Sequence, residues 1–289
     1  MAEVAAVDWP RAQDALREEV ARVVKVLRAV RDPAAPAVGR WNLGQVAMHL
    51  SQAFIVVPSL ARNDLLTIHE ILPSLAGREG SGLMADIWEL GDLTSLGVDS
   101  DPECDPMVLA DRIEQRAAEY LADAAGHSPE ELRPWLLDGT AVTLPTLTCH
   151  LLNETMMHGG DIARADGHSW PLDAAHAAMV FDGFLMPVFR ALDAHAMVDQ
   201  ERAAGLRAAF DIRIRGGGRY TFVFDDGALT IDGPAGRPVD CHISADPAAF
   251  LSVAWGREGQ WGAIAKGKLL AWGRKPWLGL RFRGLLRNP

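Results

Sequence analysis

Thr143 to Gly167 reads TLPTLTCHLLNETMMHGGDIARADG, and as a helix it has a start, a working face and a stop. Thr143 is placed to cap the N-terminus, and Pro145 falls in the first turn, where a missing N–H costs nothing. Gly167 supplies the C-terminal stop, with Pro171 soon after. Glu154 and His158 lie four residues apart and so project from one face, about one turn apart. A carboxylate and an imidazole at that spacing can close on one divalent metal from a single helix. A third ligand must come from elsewhere, and His49 is the candidate.

His49 belongs to a second helix. Arg40-Trp41-Asn42 precedes it, and Asn42 followed by Gln45 has the pattern of a capping box, so this helix begins near Leu43. It runs LGQVAMHLSQAFIVV, with Val46, Leu50, Phe54 and Val57 on its core side and His49 one residue from that stripe. Before it, residues 11 to 31 form a helix with Val20, Val23, Val24, Leu27 and Val30 inward, ended by Asp32-Pro33. Between the two candidate ligand helices the periodicity is weaker. A helix over 63–72, a GREGSG loop, a short helical piece over 83–90 and a clear helix from Asp105-Pro106 to about Ala125 are expected. A loop carrying Gly126, Pro129, Pro134 and Gly139 then leads into the Thr143–Gly167 helix, and a long helix over 173–199 closes this half. The expectation is an all-α antiparallel bundle over residues 1–203.

After Gly205 the pattern changes. AFDIRIR (209–215) alternates apolar and polar residues, as does 220–224, and Gly216-Gly217-Gly218 joins them as a hairpin. Further short strands are expected at 228–232, 239–244 and 268–272. Helices are expected from Asp246-Pro247 to Trp255, over 260–265 and from 276 to 286. Residues 204–289 thus read as a separate α+β domain, with Trp255, Trp261, Trp272, Trp277 and Phe282 filling its core.

Composition bounds the function. The 289 residues carry a net charge of −10, with a pI near 5.3, which argues against nucleic acid as a partner. Basic residues cluster late, at Arg274, Lys275, Arg281, Arg283 and Arg287, and leave room for a local anion site. No apolar run reaches the roughly 20 residues of a membrane span, and the N-terminus lacks a signal-peptide pattern. Cys104, Cys149 and Cys241 form neither a disulfide framework nor a CxxC site. The expected compartment is the cytoplasm.

His150, Glu154 and His158 all fall near one helical face, but residues eight apart are separated by roughly 12 Å along the axis, too far for one ion. Glu154 and His158 with His49 is the better construction. Two imidazoles and a carboxylate leave a position open and suit Zn²⁺, with Fe, Ni or Mn also compatible. Each element also has a plainer reading. His49 beside an apolar stripe also fits a hydrogen-bonded core histidine, and Glu154/His158 an i,i+4 ion pair worth about 0.2–0.5 kcal/mol. His150 fits either a group behind the ligands or a contact with a neighbouring helix. Asp161 is placed either to hold the His158 imidazole or to pair with Arg164.

Trp41-Asn42-Leu43-Gly44-Gln45-Val46-Ala47-Met48-His49-Leu50 resembles the first signature of the mycothiol-dependent maleylpyruvate isomerase family. Glu154 to His158 with Gly160-Asp161-Ile162-Ala163 resembles its second. Asn42 stands where Ser or Thr is commoner, and Gln45 near a position often acidic; both keep the capping function. The family belongs to the DinB-like four-helix metal proteins, and the resemblance implies a divalent metal, usually zinc, on His49, Glu154 and His158. Residues 205–289 resemble a sterol-carrier-protein-like domain through Gly227-Ala228-Leu229, DCHISADPAAFLSVAWG and Lys266-Gly267-Lys268-Leu269. That implies an apolar ligand pocket. The family also implies an arginine from this domain near the metal, with Arg213, Arg215 and Arg219 as candidates.

These readings imply an enzyme that uses mycothiol as a thiol cosubstrate on a small electrophile such as an unsaturated keto acid, giving isomerisation or S-transfer. The alternatives are a non-catalytic binding or stress-response protein holding an apolar ligand, and metal-assisted hydrolysis without a thiol. Either a monomer or a homodimer is compatible.

Overall fold

The computed structural model describes residues 7–64, 66–68, 89–192, 197–232 and 236–287. Most of the expected 63–72 helix, the GREGSG loop and nearly all of the 83–90 piece lie outside them. The chain divides into two compact units, Asp8–Pro171 and Leu172–Asn288.

In the first unit, α1 (Trp9–Leu27) starts from Asp8, whose side chain accepts the Arg11 N–H at 3.2 Å. It stops four residues earlier than expected, because Ala29 and Val30 donate three residues back and tighten the last turn. A short ladder follows, β1 (Pro36–Val38) with β2 (Trp41–Asn42), where only a loop was expected. The capping box at α2 (Leu43–Ala61) is present in full. Asn42 accepts the Gln45 N–H at 2.9 Å, and Gln45 accepts the Asn42 N–H at 3.1 Å. By length and composition alone α2 is apolar enough to cross a membrane, a test that a buried core helix also passes. Its residues are largely buried inside the unit.

The helix α3 (Leu90–Ser100) was not expected. Gly91 and Gly97 weaken its pattern, yet Leu93 and Val98 are buried, and Gln52 of α2 donates to the Gly97 carbonyl at 2.7 Å. Then comes α4 (Pro106–Ala124), capped by Asp105. A second ladder, β3 (Leu132–Pro134) with β4 (Ala141–Thr143), leads into α5 (Leu144–Ala165). Thr143 stands at the N-cap position of α5 but donates or accepts no cap hydrogen bond; its hydroxyl lies 3.1 Å from that of Thr146 instead. Gly167 does end α5, at φ +78°, with His168 N–H returning to the Ala163 carbonyl. Both α1 and α2 pack on α4 and α5. Leu16, Leu50, Phe54, Ile113 and Leu147 are completely buried among them. The unit is therefore mostly helical, with two small ladders that the sequence pattern did not reveal.

The second unit begins about thirty residues earlier than the expected boundary at 203. Its first helix, α6 (Ala174–Val180), continues through a π turn (Phe181–Leu185) into α7 (Met186–Ala191). The long helix expected to reach 199 ends at Ala191, with α8 (Gln200–Ala203) following. Side chains fix this segment to the sheet behind it. Phe181 stacks on Phe250 at 5.2 Å, and Asp182 accepts from the Gly218 N–H at 3.0 Å and from the Tyr220 hydroxyl. Helical periodicity cannot reveal such partners, so the break was placed where the strands begin.

The sheet has the order β7 (Ala228–Ile231), β6 (Arg219–Asp225), β5 (Arg207–Ile214), β8 (Cys241–Ala245), β9 (Leu269–Trp272). Only β5 and β8 run parallel. Gly216, at φ +78°, allows the β5–β6 turn. α9 (Pro247–Ala254), α10 (Gln260–Ala265), a 3₁₀ turn (Pro276–Leu278) and α11 (Gly279–Leu285) complete the unit. Its core is phenylalanine: Phe210, Phe222, Phe224 and Phe282 form edge-on and tilted contacts at 5.1–5.7 Å. Phe282 fills the core as expected, but Trp261, Trp272 and Trp277 are 49–63% exposed and do not.

Candidate metal centre

The capping box sets the start of α2, and so places His49 on its second turn. Pro145 and Gly167 frame α5, which carries Glu154 and His158 one turn apart. Because α2 packs on α5, the three side chains converge. His49 Nε2 lies 3.3 Å from Glu154 Oε2, and His158 Nε2 lies 3.4 Å from the same oxygen. One donor atom from each residue falls within 4.8 Å of the others. The two imidazoles meet edge to face at 4.6 Å.

These side chains retain 14–17% exposure, enough for an approach from solvent. The donor set fits a divalent cation: two imidazole nitrogens and a carboxylate, partly buried, with one imidazole backed by a second carboxylate. That second carboxylate is Asp161, completely buried, with Oδ2 3.3 Å from His158 Nδ1. Its other oxygen accepts from Arg164 at 3.2 Å, so both expected roles of Asp161 are present together.

Burial pushes the Glu154 carboxyl up, but hydrogen bonds with His158 and His49 outweigh it and hold the group well below the usual carboxylate range. Burial likewise opposes the His158 imidazolium, yet Asp161 and Glu154 lift it to about 9. For His49 burial prevails over the Glu154 hydrogen bond and lowers the imidazole. Burial lowers His150 too. The anionic Glu154 and the neutral His49 suit a cation, which would displace the proton that His158 carries at neutral pH.

His150 Nε2 stands 3.7 Å from Glu154 Oε1, behind the three converging donors. One tryptophan lies against the cluster and another against His150, roles that the sequence pattern did not reveal. The Trp41 ring centroid is 5.4 Å from that of His49, and Trp135, just after β3, is 6.2 Å from that of His150. Cys149 is fully buried in α5.

Of the three candidate arginines of the second unit, Arg219 and Arg215 have partners within that unit and Arg213 is exposed. Arg219 makes a two-pronged pair with Asp211, at 2.5 and 2.7 Å. Asp211 also lies 2.6 Å from His242 Nδ1, and the His242 ring stacks on Trp272. Arg215 donates to the Lys268 carbonyl at 3.0 Å, and Arg213 points to solvent from β5.

Residues 189–286 match the SCP-2 sterol transfer family. No curated protein matches the chain. Among solved structures, a mycothiol-dependent maleylpyruvate isomerase is similar at 12% identity and a TM-score of 0.46, over 94% of this chain and 95% of that one. The sec-alkylsulfatase Pisa1 from Pseudomonas sp. is similar at 16% identity and a TM-score of 0.29, over 50% of this chain. The chain spans about a quarter of that sulfatase's length.

Proposed function

We propose that the protein is a metal-dependent enzyme that uses a low-molecular-weight thiol on a small electrophile, by isomerisation or S-transfer. The convergence of His49, Glu154 and His158 carries this reading. Zinc is the metal that two imidazoles and a carboxylate favour. Bound there, it supplies the positive charge that keeps a thiol as its thiolate at neutral pH.

The protein's own residues do the rest. Glu154 stays ionised, His49 stays neutral, and Asp161 fixes the tautomer and orientation of His158. Trp41 lies against His49 and Trp135 against His150. The thiolate would add to the C=C bond, forming C–S while the π electrons move to the keto oxygen as an enolate; protonation of that enolate at carbon completes transfer, whereas rotation about the new single bond and expulsion of the thiolate re-forms C=C and completes isomerisation. Mycothiol is the proposed thiol and an unsaturated keto acid the proposed electrophile. Both come from the resemblance of Trp41–Leu50 and Glu154–Ala163 to the isomerase signatures, as does the assignment of the helical unit as a DinB-like bundle.

The test is metal content by elemental mass spectrometry on untagged wild type and Glu154→Ala, followed by turnover with a panel of thiols and electrophiles. Near-stoichiometric metal in wild type, lost in the variant, with thiol-dependent turnover, supports the proposal. Wild type that takes up no metal after zinc reconstitution refutes it.

A second reading has its own observation, the match of residues 189–286 to a sterol transfer family. In that reading the protein is a binding protein with an apolar ligand in the second unit. Co-purification of a lipid, without thiol-dependent turnover, would favour it.

A further inference from the structure

The second unit contains a cavity of about 460 Å³, within the range of small-molecule sites. Three arginines line it, Arg202 from α8 with Arg281 and Arg283 from α11, and its apolar wall includes Val253, Leu280 and Leu285. Val253 and Leu285 are buried, whereas Leu280 is 40% exposed.

We infer that this cavity binds a small organic carboxylate, its charged end between Arg281 and Arg283 and its apolar body on Val253 and Leu285. Arg202 reaches Asp199 at 3.5 Å, but among the described residues Arg281 and Arg283 meet no carboxylate. Their guanidiniums make only single contacts with carbonyls, Arg281 with that of Arg202 at 3.2 Å and Arg283 with that of Leu286 at 3.5 Å. The acidic residue of the wall, Glu258, is engaged by Lys266 at 3.2 Å.

The backbone brings the cations together. The Arg202 guanidinium lies against α11, its Nη1 2.8 Å from where a Cβ on Gly284 would stand. Burial and the charge of Arg202 both push Arg283 below the usual guanidinium value. Holding like charges around one concavity is unfavourable, and a bound anion relieves it. Arginine's planar fork matches a carboxylate, and the apolar wall gives the rest of such a ligand somewhere to leave water. A neutral apolar molecule would leave the guanidiniums unanswered. The site uses none of the candidate metal ligands and stands independently of the metal-centred proposal.

The test is calorimetric titration of the full-length protein with octanoate, 1-octanol and sodium sulfate in parallel. Each titration is repeated on Glu154→Ala, so that carboxylate bound at the metal centre is not mistaken for the cavity. Octanoate is expected to bind both proteins at one site, at least about tenfold more tightly than 1-octanol or sulfate. Arg283→Gln and Arg281→Gln should each weaken it by about tenfold. Glu258→Gln, which removes a negative charge from the wall, should tighten it.

Equal binding of octanol and octanoate would overturn the proposal, as would equal binding of sulfate, or octanoate binding indifferent to both arginine variants. Octanoate bound by wild type but not by Glu154→Ala would place it at the metal centre and equally overturn the proposal. No tightening in Glu258→Gln would count against the charge argument even if an arginine variant failed to fold.

Discussion

Asp161 Oδ2 lies 3.3 Å from His158 Nδ1, and Asp161 is completely buried while His158 is not. A buried carboxylate behind an imidazole favours a proton on Nδ1, so a cation binding at Nε2 would displace the proton that the imidazolium carries there at neutral pH. Asp161→Asn keeps the shape and removes the charge. Zinc affinity in this variant should fall by about 10–100-fold, measured by competition with a chromophoric chelator. Glu154→Ala, which removes a proposed ligand, should lose metal outright. If Asp161→Asn binds zinc as tightly as wild type, Asp161 has no part in positioning His158.

Gly159 follows His158 directly, and a Cβ there would lie 2.6 Å from the Trp170 ring. That ring cannot easily yield. Its Nε1 donates to the Met156 carbonyl at 3.1 Å, and the Arg22 guanidinium stacks 3.8 Å from its centre. Alanine gains about 1 kcal/mol of helix propensity over glycine, against an overpacking cost of about 1–3 kcal/mol. Gly159→Ala should therefore be net destabilising by about 1 kcal/mol. The paired variant with Trp170→Ala, which removes the clash, should recover the propensity gain relative to Trp170→Ala alone. Urea denaturation of the three variants checks this.

Much of the candidate centre could be read from sequence because its determinants are local. Asn42 and Gln45 set the phase of α2, Pro145 and Gly167 frame α5, and the four-residue spacing of Glu154 and His158 does the rest. The convergence of His49 with that pair depends on α2 packing against α5, which periodicity leaves open and which the motif resemblance supplied. Features set by distant partners were not readable. The β3–β4 ladder, whose connection holds Trp135, depends on pairing between Arg133 and Val142 across a turn. The segment 172–203 looks like one more helix of the first unit until Phe181 is seen on Phe250. The tryptophans of the second unit were read as core because they are large and apolar. Phe210, Phe222 and Phe224 on one face of the β5–β6 pairing, with Phe282 on α11, fill that space instead.

Asp240 joins the start of β8 to the loop after β9. Fully buried, it accepts the Ala209 N–H at 3.1 Å and meets Lys275 at 3.1 Å and Arg237 at 3.5 Å. Burial pushes its carboxyl up, but the Ala209 N–H and Lys275 outweigh this and lower it. The folded value thus lies below the unfolded one near 3.9. The stabilisation is present above that unfolded value and is lost as pH falls through the folded one. Asp240→Asn should cost about 2 kcal/mol at pH 7. The gap between wild type and variant should then narrow on acidification below about pH 4. A gap in urea-denaturation stability that stays constant from pH 7 to pH 2.5 would show that the charge of Asp240 contributes nothing.

The hydroxyl of Thr148 joins three helices of the first unit at one buried oxygen. Trp9 Nε1 of α1 donates to it at 2.9 Å, the Tyr120 hydroxyl of α4 lies 2.8 Å away, and Thr148 itself donates to the Leu144 carbonyl at 3.1 Å. Its single hydrogen goes to Leu144, which leaves its two lone pairs for Trp9 and Tyr120. Burial has pushed the Tyr120 phenol far above its ordinary value, so it remains a neutral donor. Thr148→Val keeps the side-chain volume but strands both donors away from water, at a cost of about 2–4 kcal/mol for the pair. Tyr120→Phe strands no donor and should cost less. Adding Tyr120→Phe to Thr148→Val should recover about 1 kcal/mol, because one of the two stranded donors is gone. Strictly additive losses in that double-mutant cycle would show that Thr148 and Tyr120 do not share a hydrogen bond.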